Sequence, residues 1–210
     1  MAMPRLEVQP SGDVAFDVQV FLLRHSCQHT LEHSRVVASQ AVCLAARFGV
    51  DRRQAEDAAW LHDVSACIPV SMRLRAARDW GIEVLPEEAT APMILHQKLS
   101  EEMARTLFKV TSQPVLSAVG CHTTLRRGAG DLDRVLFLAD KMAWDQPGRP
   151  PYLDEVKKIL TTEGARADVL SRCVAVYLRY LWAQRATLRV VHPWLADACA
   201  ELCGRASKGA

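Results

Sequence analysis

Apolar residues recur every three or four positions along most of this sequence, a spacing that restricts the chain to helices packed against one another. Between residues 33 and 48 the positions that follow this spacing are Val37, Ala41, Leu44 and Phe48. Gly49 comes directly after this segment, where a glycine commonly ends a helix. No stretch alternates apolar and polar residues in the way that predicts a half-buried strand. The sequence therefore predicts an all-α fold.

The predicted helices follow one another closely enough to form a single compact bundle. Asp51 is a suitable N-cap and Gln54 stands three residues later, so the pair predicts the start of a helix. Further on, residues 145–151 contain three prolines and a glycine, which predicts a loop. We expect an N-terminal arm at residues 1–17, one helical domain at 18–198 and a C-terminal tail at 199–210.

The composition of the chain argues against several classes of protein. Its 210 residues are enough for one sizeable domain, and the hydrophobic share of 50% and charged share of 24% are ordinary for a globular protein. A formal net charge of +2 does not indicate a binder of nucleic acid or of membrane surfaces. No segment resembles a signal peptide or a membrane span. None of the seven cysteines forms a CxxC pair, so we expect a reduced, cytoplasmic protein.

A set of imidazoles and carboxylates stands at the edges of apolar segments. Its members are His33, His62, Asp63, His96, His122 and Asp140. Such groups are costly beside apolar surface unless each finds a partner. Taken singly, each histidine is more often a hydrogen-bonded structural residue, and Asp140 a helix cap or ion-pair partner. Taken together, four imidazoles and two carboxylates can supply the ligands of two hydrolytic metal ions, with one carboxylate bridging both.

The order and spacing of these residues extend to the segments around them. The matching pieces are His33–Ala38, Ala58–Asp63, His96, Cys121–Thr123, Asp133–Asp140 and Asp154–Ile159. In this order they resemble the HD superfamily of metal-dependent phosphohydrolases, and within it the YqeK-like branch of bacterial symmetrical diadenosine tetraphosphatases. The resemblance runs from about residue 24 to about residue 195, and it implies a single compact HD-domain helical bundle.

The resemblance also implies a metal centre and a reaction. It assigns one ion to His33, His62, Asp63 and Asp140, and a second ion to His96 and His122 with Asp63 bridging. Iron is the metal expected, although manganese, cobalt and zinc accept the same ligands. A hydroxide between the two ions would attack phosphorus and split diadenosine tetraphosphate into two ADP. His62, Asp63 and His96 would be the catalytic residues.

Three residues are candidate contacts of the substrate phosphates. Arg149 stands where the family has an arginine, Thr123 directly follows a ligand histidine, and Lys98 lies two residues after another. The alternatives are a surface arginine in a proline-rich loop, a hydroxyl at a helix end and a solvated surface lysine. The chain also departs from the family, which carries a lysine where this sequence has Ala66 and a different loop in place of residues 141–149.

Two other functions fit the same residues. The metal site could act on another nucleotide, such as a deoxynucleotide or a ppGpp-like alarmone, or the chain could be a non-catalytic HD scaffold that serves as a binding module. The absence of a GYP motif argues against the cyclic dinucleotide branch. The partner expected is a small nucleotide, and not nucleic acid or membrane. A homodimer could form through Trp182, Trp194 and the C-terminal helices, which could equally pack into the core.

Overall fold

Helices make up most of the structure, a computed structural model that describes residues 6–145, 147–164 and 167–204. The described residues contain eleven α-helices, three short 3₁₀ turns and no strand, so the all-α prediction is confirmed. The α-helices are α1 (Val14–Arg24), α2 (Gln28–Phe48), α3 (Arg52–Leu61), α4 (Val70–Asp79), α5 (Pro86–Thr90), α6 (His96–Thr106), α7 (Gln113–Cys121), α8 (Asp131–Met142), α9 (Leu153–Thr162), α10 (Ala167–Ala183) and α11 (Pro193–Leu202). The 3₁₀ turns are Val64–Cys67, Pro92–Leu95 and Arg185–Thr187.

The connection between α2 and α3 shows how local sequence sets the packing. Gly49 ends α2 with a φ of 70°, a left-handed conformation that costs glycine little. Asp51 then caps α3, because its carboxylate accepts a hydrogen bond of 2.8 Å from the backbone N–H of Gln54. The predicted N-cap is therefore confirmed, and the short turn brings α3 back against α2.

α3 and α8 form the centre of the bundle, because each packs against both α2 and α7. Their inward faces carry fully buried side chains, among them Leu61 on α3 and Leu136 and Phe137 on α8. Burying a side chain of this size contributes about 1.5–3 kcal/mol to folding. α6 packs along α7. The ends of α3 and α7 and the start of α6 therefore meet beside α2 and α8, and the candidate site lies at this meeting point.

The two ends of the chain are partly built into the helical body. α1 begins at Val14, inside the predicted arm, and the buried carboxylate of Asp17 accepts hydrogen bonds from the backbone N–H of Ser11. At the other end α11 extends to Leu202, inside the predicted tail. Residues 1–5 and 205–210 lie outside the described part, so the division into arm, domain and tail stays a prediction. None of the described helices combines the length and the apolar character needed to cross a bilayer.

Candidate metal centre

The six predicted ligands come from five helices and converge on one cluster. His33 lies on α2, and Asp140 lies on α8. The other four stand at helix ends: His62 and Asp63 directly follow α3, His96 begins α6, and His122 directly follows α7. Two groups in this cluster have ligand atoms all within 4.8 Å of one another. They are His33, His62 and Asp140, and His62, Asp63 and His122.

Three of the histidines make the same hydrogen bond to the backbone. In each, Nδ1 donates to a carbonyl three residues earlier: His62 to Ala59 at 2.7 Å, His96 to Met93 at 2.7 Å and His122 to Val119 at 2.8 Å. A carbonyl only accepts hydrogen bonds, so Nδ1 carries the proton. In the neutral ring Nε2 is then a bare lone pair, which is the form of histidine that binds a metal.

The Nε2 atoms of these histidines face the two oxygens of Asp63. Nε2 of His96 lies 3.4 Å from Oδ1, and Nε2 of His122 lies 3.5 Å from the same oxygen. Nε2 of His62 lies 3.6 Å from the other oxygen, Oδ2. Asp63 therefore turns one oxygen toward two histidine nitrogens and the other toward a third, which is an arrangement that suits a bridging carboxylate.

A second ligand set lies on the other side of His62. Nε2 of His33 is 3.1 Å from Oδ1 of Asp140, and Nε2 of His62 is 3.9 Å from that oxygen. The other oxygen of Asp140, Oδ2, lies 2.6 Å from the ammonium of Lys141. Asp140 therefore presents one oxygen to the cluster, while its second oxygen is neutralised by a lysine.

The contacts between ligand atoms fit divalent cations. Nε2 of His96 and Nε2 of His122 are 3.0 Å apart, although neither carries a proton to share. Two nitrogens that bind one ion at about 2.1 Å with a right angle between them are about 3.0 Å apart. Nε2 of His62 is completely buried and has no hydrogen-bond partner in the described residues. A metal ion would satisfy all of these lone pairs at once.

The electrostatics favour the protonation states that metal ligands need. Burial lowers the pKa of His96 to about 4, and burial also lowers the pKa of His62. Burial alone would raise the pKa of Asp63, but His62 and the other neighbouring histidines hold it well below its ordinary value. Burial would likewise raise the pKa of Asp140. The charge of Lys141 and the hydrogen bond with His33 outweigh this effect and keep that pKa low. Burial alone would lower the pKa of His33, but its hydrogen bond to Asp140 and the charge of that carboxylate outweigh this effect and raise the pKa instead. At neutral pH the cluster therefore offers neutral imidazoles at His62 and His96 and ionised carboxylates at Asp63 and Asp140.

Of the three predicted phosphate contacts, Thr123 is the one that touches the cluster. Its hydroxyl lies 2.9 Å from Nε2 of His96. Lys98 is instead buried, with its ammonium 2.8 Å from Glu88. The alternative interpretation, a solvated surface lysine, is therefore wrong as well. Arg149 is exposed, as that alternative interpretation expects, and its guanidinium pairs with Asp154. The geometry does not favour phosphate contacts by Lys98 and Arg149, because each is already paired with an acid.

Two residues beside the cluster were not singled out from the sequence. Gln97 is completely buried, and its side-chain oxygen accepts hydrogen bonds of 3.1 Å and 3.3 Å from the backbone N–H groups of Thr123 and Thr124. Arg73, on α4, donates a hydrogen bond of 2.9 Å to the carbonyl of Met93. That carbonyl also accepts from His96. Both partners are distant in sequence, so no local pattern marks these residues.

Comparison with known proteins is consistent with this site. The HD domain family matches residues 30–145, which include all six predicted ligands. A Lactococcus lactis subsp. cremoris protein, described as an uncharacterized protein in the pepC 5' region, is 36% identical over 73% of this chain and 74% of its own length. The symmetrical bis(5'-nucleosyl)-tetraphosphatase of Bacillus subtilis strain 168 is 31% identical over 69% of this chain and 76% of its own length.

A solved structure shows the same fold. It is that of a predicted HD superfamily hydrolase involved in NAD metabolism from Clostridium acetobutylicum, with a TM-score of 0.78 at 22% identity. The superposition covers 90% of this chain and 96% of the other. The family match spans more than half of the sequence and coincides with the ligand cluster. The chain belongs to the HD-domain family.

Proposed function

We propose that this protein is a metal-dependent phosphohydrolase that splits diadenosine tetraphosphate symmetrically into two molecules of ADP. The observation that carries the proposal is the position of Asp63, one oxygen of which faces His96 and His122 while the other faces His62. Such a carboxylate suits a pair of ions. The Bacillus subtilis relative named as a symmetrical bis(5'-nucleosyl)-tetraphosphatase supports the choice of substrate.

The ligand cluster divides between the two proposed ions. His33, His62, Asp63 and Asp140 would hold one ion, and Asp63, His96 and His122 would hold the other. Iron is the metal we expect, and the same ligands accept manganese, cobalt or zinc. When bound, the ions would neutralise charge on the phosphate oxygens and activate a water for attack on phosphorus.

The protein's own groups set where the substrate enters and how the ligands are oriented. The side chains of His62 and His122 are almost wholly buried, whereas those of Asp63 and His96 are 29% and 20% exposed. The cluster is therefore open on the side of Asp63 and His96, and the phosphates would approach there. Thr123 lies on the same side, and its hydroxyl could donate to a phosphate oxygen. The backbone bonds of the histidine Nδ1 atoms keep each Nε2 directed inward.

A second candidate keeps the same centre but acts on another phosphorylated nucleotide, such as a deoxynucleotide or a ppGpp-like alarmone. The observation that favours it is the pairing of Lys98 with Glu88 and of Arg149 with Asp154. The first pairing holds a lysine in a buried ion pair, away from a tetraphosphate chain, and the second gives an exposed arginine an acidic partner. A deoxynucleotide, with fewer phosphates than diadenosine tetraphosphate, needs fewer such contacts, and ppGpp carries its four phosphates as two separate pairs.

The test is anaerobic incubation of the Fe(II)-loaded protein with diadenosine tetraphosphate, followed by chromatography of the products. ADP as the sole product supports the proposal, whereas AMP with ATP contradicts symmetrical cleavage. Bound metal without turnover of this substrate favours the second candidate, which a panel of deoxynucleotides and ppGpp then examines. A protein with neither bound metal nor turnover is the non-catalytic scaffold. His25→Ala is a matched control, because this histidine lies outside the cluster.

A further inference from the structure

The guanidinium of Arg73 is only partly used by the protein. Its Nε donates to the carbonyl of Ile68 at 3.2 Å, and its Nη1 donates to the carbonyl of Met93 at 2.9 Å. An arginine has five N–H donors, so three remain without a partner among the described residues. Within that part of the chain no carboxylate oxygen lies within 4.0 Å of this guanidinium, although its side chain is partly buried.

Arg73 reaches the open side of the metal centre. The Met93 carbonyl that it binds also accepts the Nδ1 hydrogen bond of His96, at 2.7 Å. A single backbone oxygen therefore joins the guanidinium to a metal-ligand histidine. Burial lowers the pKa of Arg73, and the negative charge of Asp63 opposes this effect. His96 and Asp63 are the two most exposed members of the cluster, so Arg73 lies beside the side from which a substrate would approach.

The other cations considered for the site each have an acidic partner. The ammonium of Lys141 lies 2.6 Å from Asp140, that of Lys98 lies 2.8 Å from Glu88, and Arg149 pairs with Asp154. Arg73 differs from all three, since two neutral carbonyls hold its side chain in place and, among the described residues, no carboxylate pairs with it directly. A positive charge fixed in this way is suited to an incoming anion.

We infer that Arg73 binds a phosphate group of the substrate on the His96 side of the metal centre. The inference rests on the proposed function, in that the ligand is taken to be a nucleotide with linked phosphates. Nη1 and Nη2 together offer the paired N–H groups that meet two oxygens of one phosphate. The bonds to Ile68 and Met93 hold the fork in position before the substrate arrives, so little side-chain entropy is lost on binding.

A purely structural role is the competing explanation. The two carbonyl bonds could simply tie α4 to the 3₁₀ turn before α6. Affinity for a phosphate ligand separates the two roles. A structural tie affects the free energy of unfolding, whereas a phosphate contact affects the dissociation constant of the ligand at unchanged metal content.

The experiment measures ADP binding to the manganese-loaded protein by calorimetry, with metal content and thermal unfolding recorded for each variant. Arg73→Gln should weaken ADP binding at least tenfold, because the charge-assisted hydrogen bonds to the phosphate are lost. Arg73→Lys should give an intermediate loss, because it keeps the charge without the paired donors. Arg75→Gln is the matched control: this arginine is on the same helix, is 73% exposed and pairs with Asp79.

Each result bears on the inference. A folded Arg73→Gln protein with full metal content and unchanged ADP affinity overturns it, as does a wild-type manganese-loaded protein that does not bind ADP. Should Arg73→Gln fail to fold, Arg73→Lys decides, and an affinity equal to that of the wild type is then the contradicting result. Hydrolysis of diadenosine tetraphosphate by the wild type, measured separately, tests the proposed function. Loss of ADP binding in the variant without wild-type hydrolysis would retain the phosphate contact and reject the substrate.

Discussion

The ammonium of Lys141 lies 2.6 Å from Oδ2 of Asp140, and this contact leaves Oδ1 as the oxygen that faces His33 and His62. The lysine side chain is largely buried and passes over the rings of Phe137 and Tyr177, with Nζ 5.3 Å and 5.6 Å from the ring centroids. Tyr152 donates a hydrogen bond of 2.8 Å to the backbone carbonyl of Lys141. The lysine is therefore held in place and provides a fixed counter-charge to a carboxylate of the proposed metal centre.

We expect Lys141→Met to destabilise the metal-free protein more than the metal-loaded protein. Methionine keeps the packing against the two rings, but Asp140 loses its counter-charge. Removing one partner of a buried pair costs about 3–5 kcal/mol, and a bound cation would restore part of the loss. Urea unfolding with and without manganese measures both values. Lys157→Met, at an exposed position on α9, is the control. An equal loss with and without metal would contradict the role assigned to Lys141.

Replacing Gln97 by leucine should lower activity more than it lowers stability. The change leaves the backbone N–H groups of Thr123 and Thr124 without their acceptor, at a cost of about 1–3 kcal/mol. The segment that follows His122 then loses its anchor to α6. We expect kcat to fall about tenfold or more in protein that is still folded at the assay temperature. Gln113→Leu, at an exposed position, should leave both quantities near wild type. Unchanged kcat in Gln97→Leu would show that the anchor is unnecessary.

The metal-free protein should lose stability as the pH falls from about 6.5 toward 4. The unfolded chain protonates His96 near its ordinary pKa of 6.5, whereas burial lowers the folded-state pKa to about 4. In this window the unfolded state binds more protons, so acid favours unfolding. Other groups titrate as well, and the difference between wild type and His96→Gln isolates this one. Chemical unfolding at several pH values should give a smaller pH dependence in the variant. Parallel curves for the two proteins would be the contrary result.

Lys98→Met should destabilise the protein without weakening the binding of the substrate. The ammonium of Lys98 and the imidazole of His192 both contact the completely buried carboxylate of Glu88, at 2.8 Å and 3.2 Å. Removing the lysine leaves that carboxylate with one partner fewer, which costs about 3–5 kcal/mol. The double variant with Glu88→Gln should recover part of the loss. KM for diadenosine tetraphosphate should stay within about twofold of wild type. A large rise in KM would restore Lys98 as a phosphate contact.

The ligand cluster could be predicted from the sequence because its members break local rules. His62 and Asp63 stand at the end of the apolar segment of α3, and Asp140 stands on the apolar face of α8. Polar groups in such places are costly without partners. The helices that carry them follow from the apolar spacing. Where the ordered match to a family adds to these local signals, the six positions emerge together, and the structure brings them to one place.

The surroundings of the cluster could not be predicted in the same way. Lys98 is two residues after His96, but two residues turn a helix by about 200°, so the lysine points away from the ligand face and toward Glu88. Arg73 depends on a carbonyl twenty residues further along the chain. Contacts of this kind follow from how helices pack, and neither periodicity nor residue type reveals them.

The metal content of purified variants tests the central claim, that Asp63 is shared by two ions, most directly. The measurement is manganese per chain by elemental analysis after loading and desalting, with circular dichroism to confirm the helical fold. We predict about two ions in the wild type, about one in His122→Ala and almost none in Asp63→Ala, with Asp79→Ala matching the wild type. An Asp63→Ala protein that keeps its full metal content, or a wild type that binds no metal, would contradict the two-ion centre.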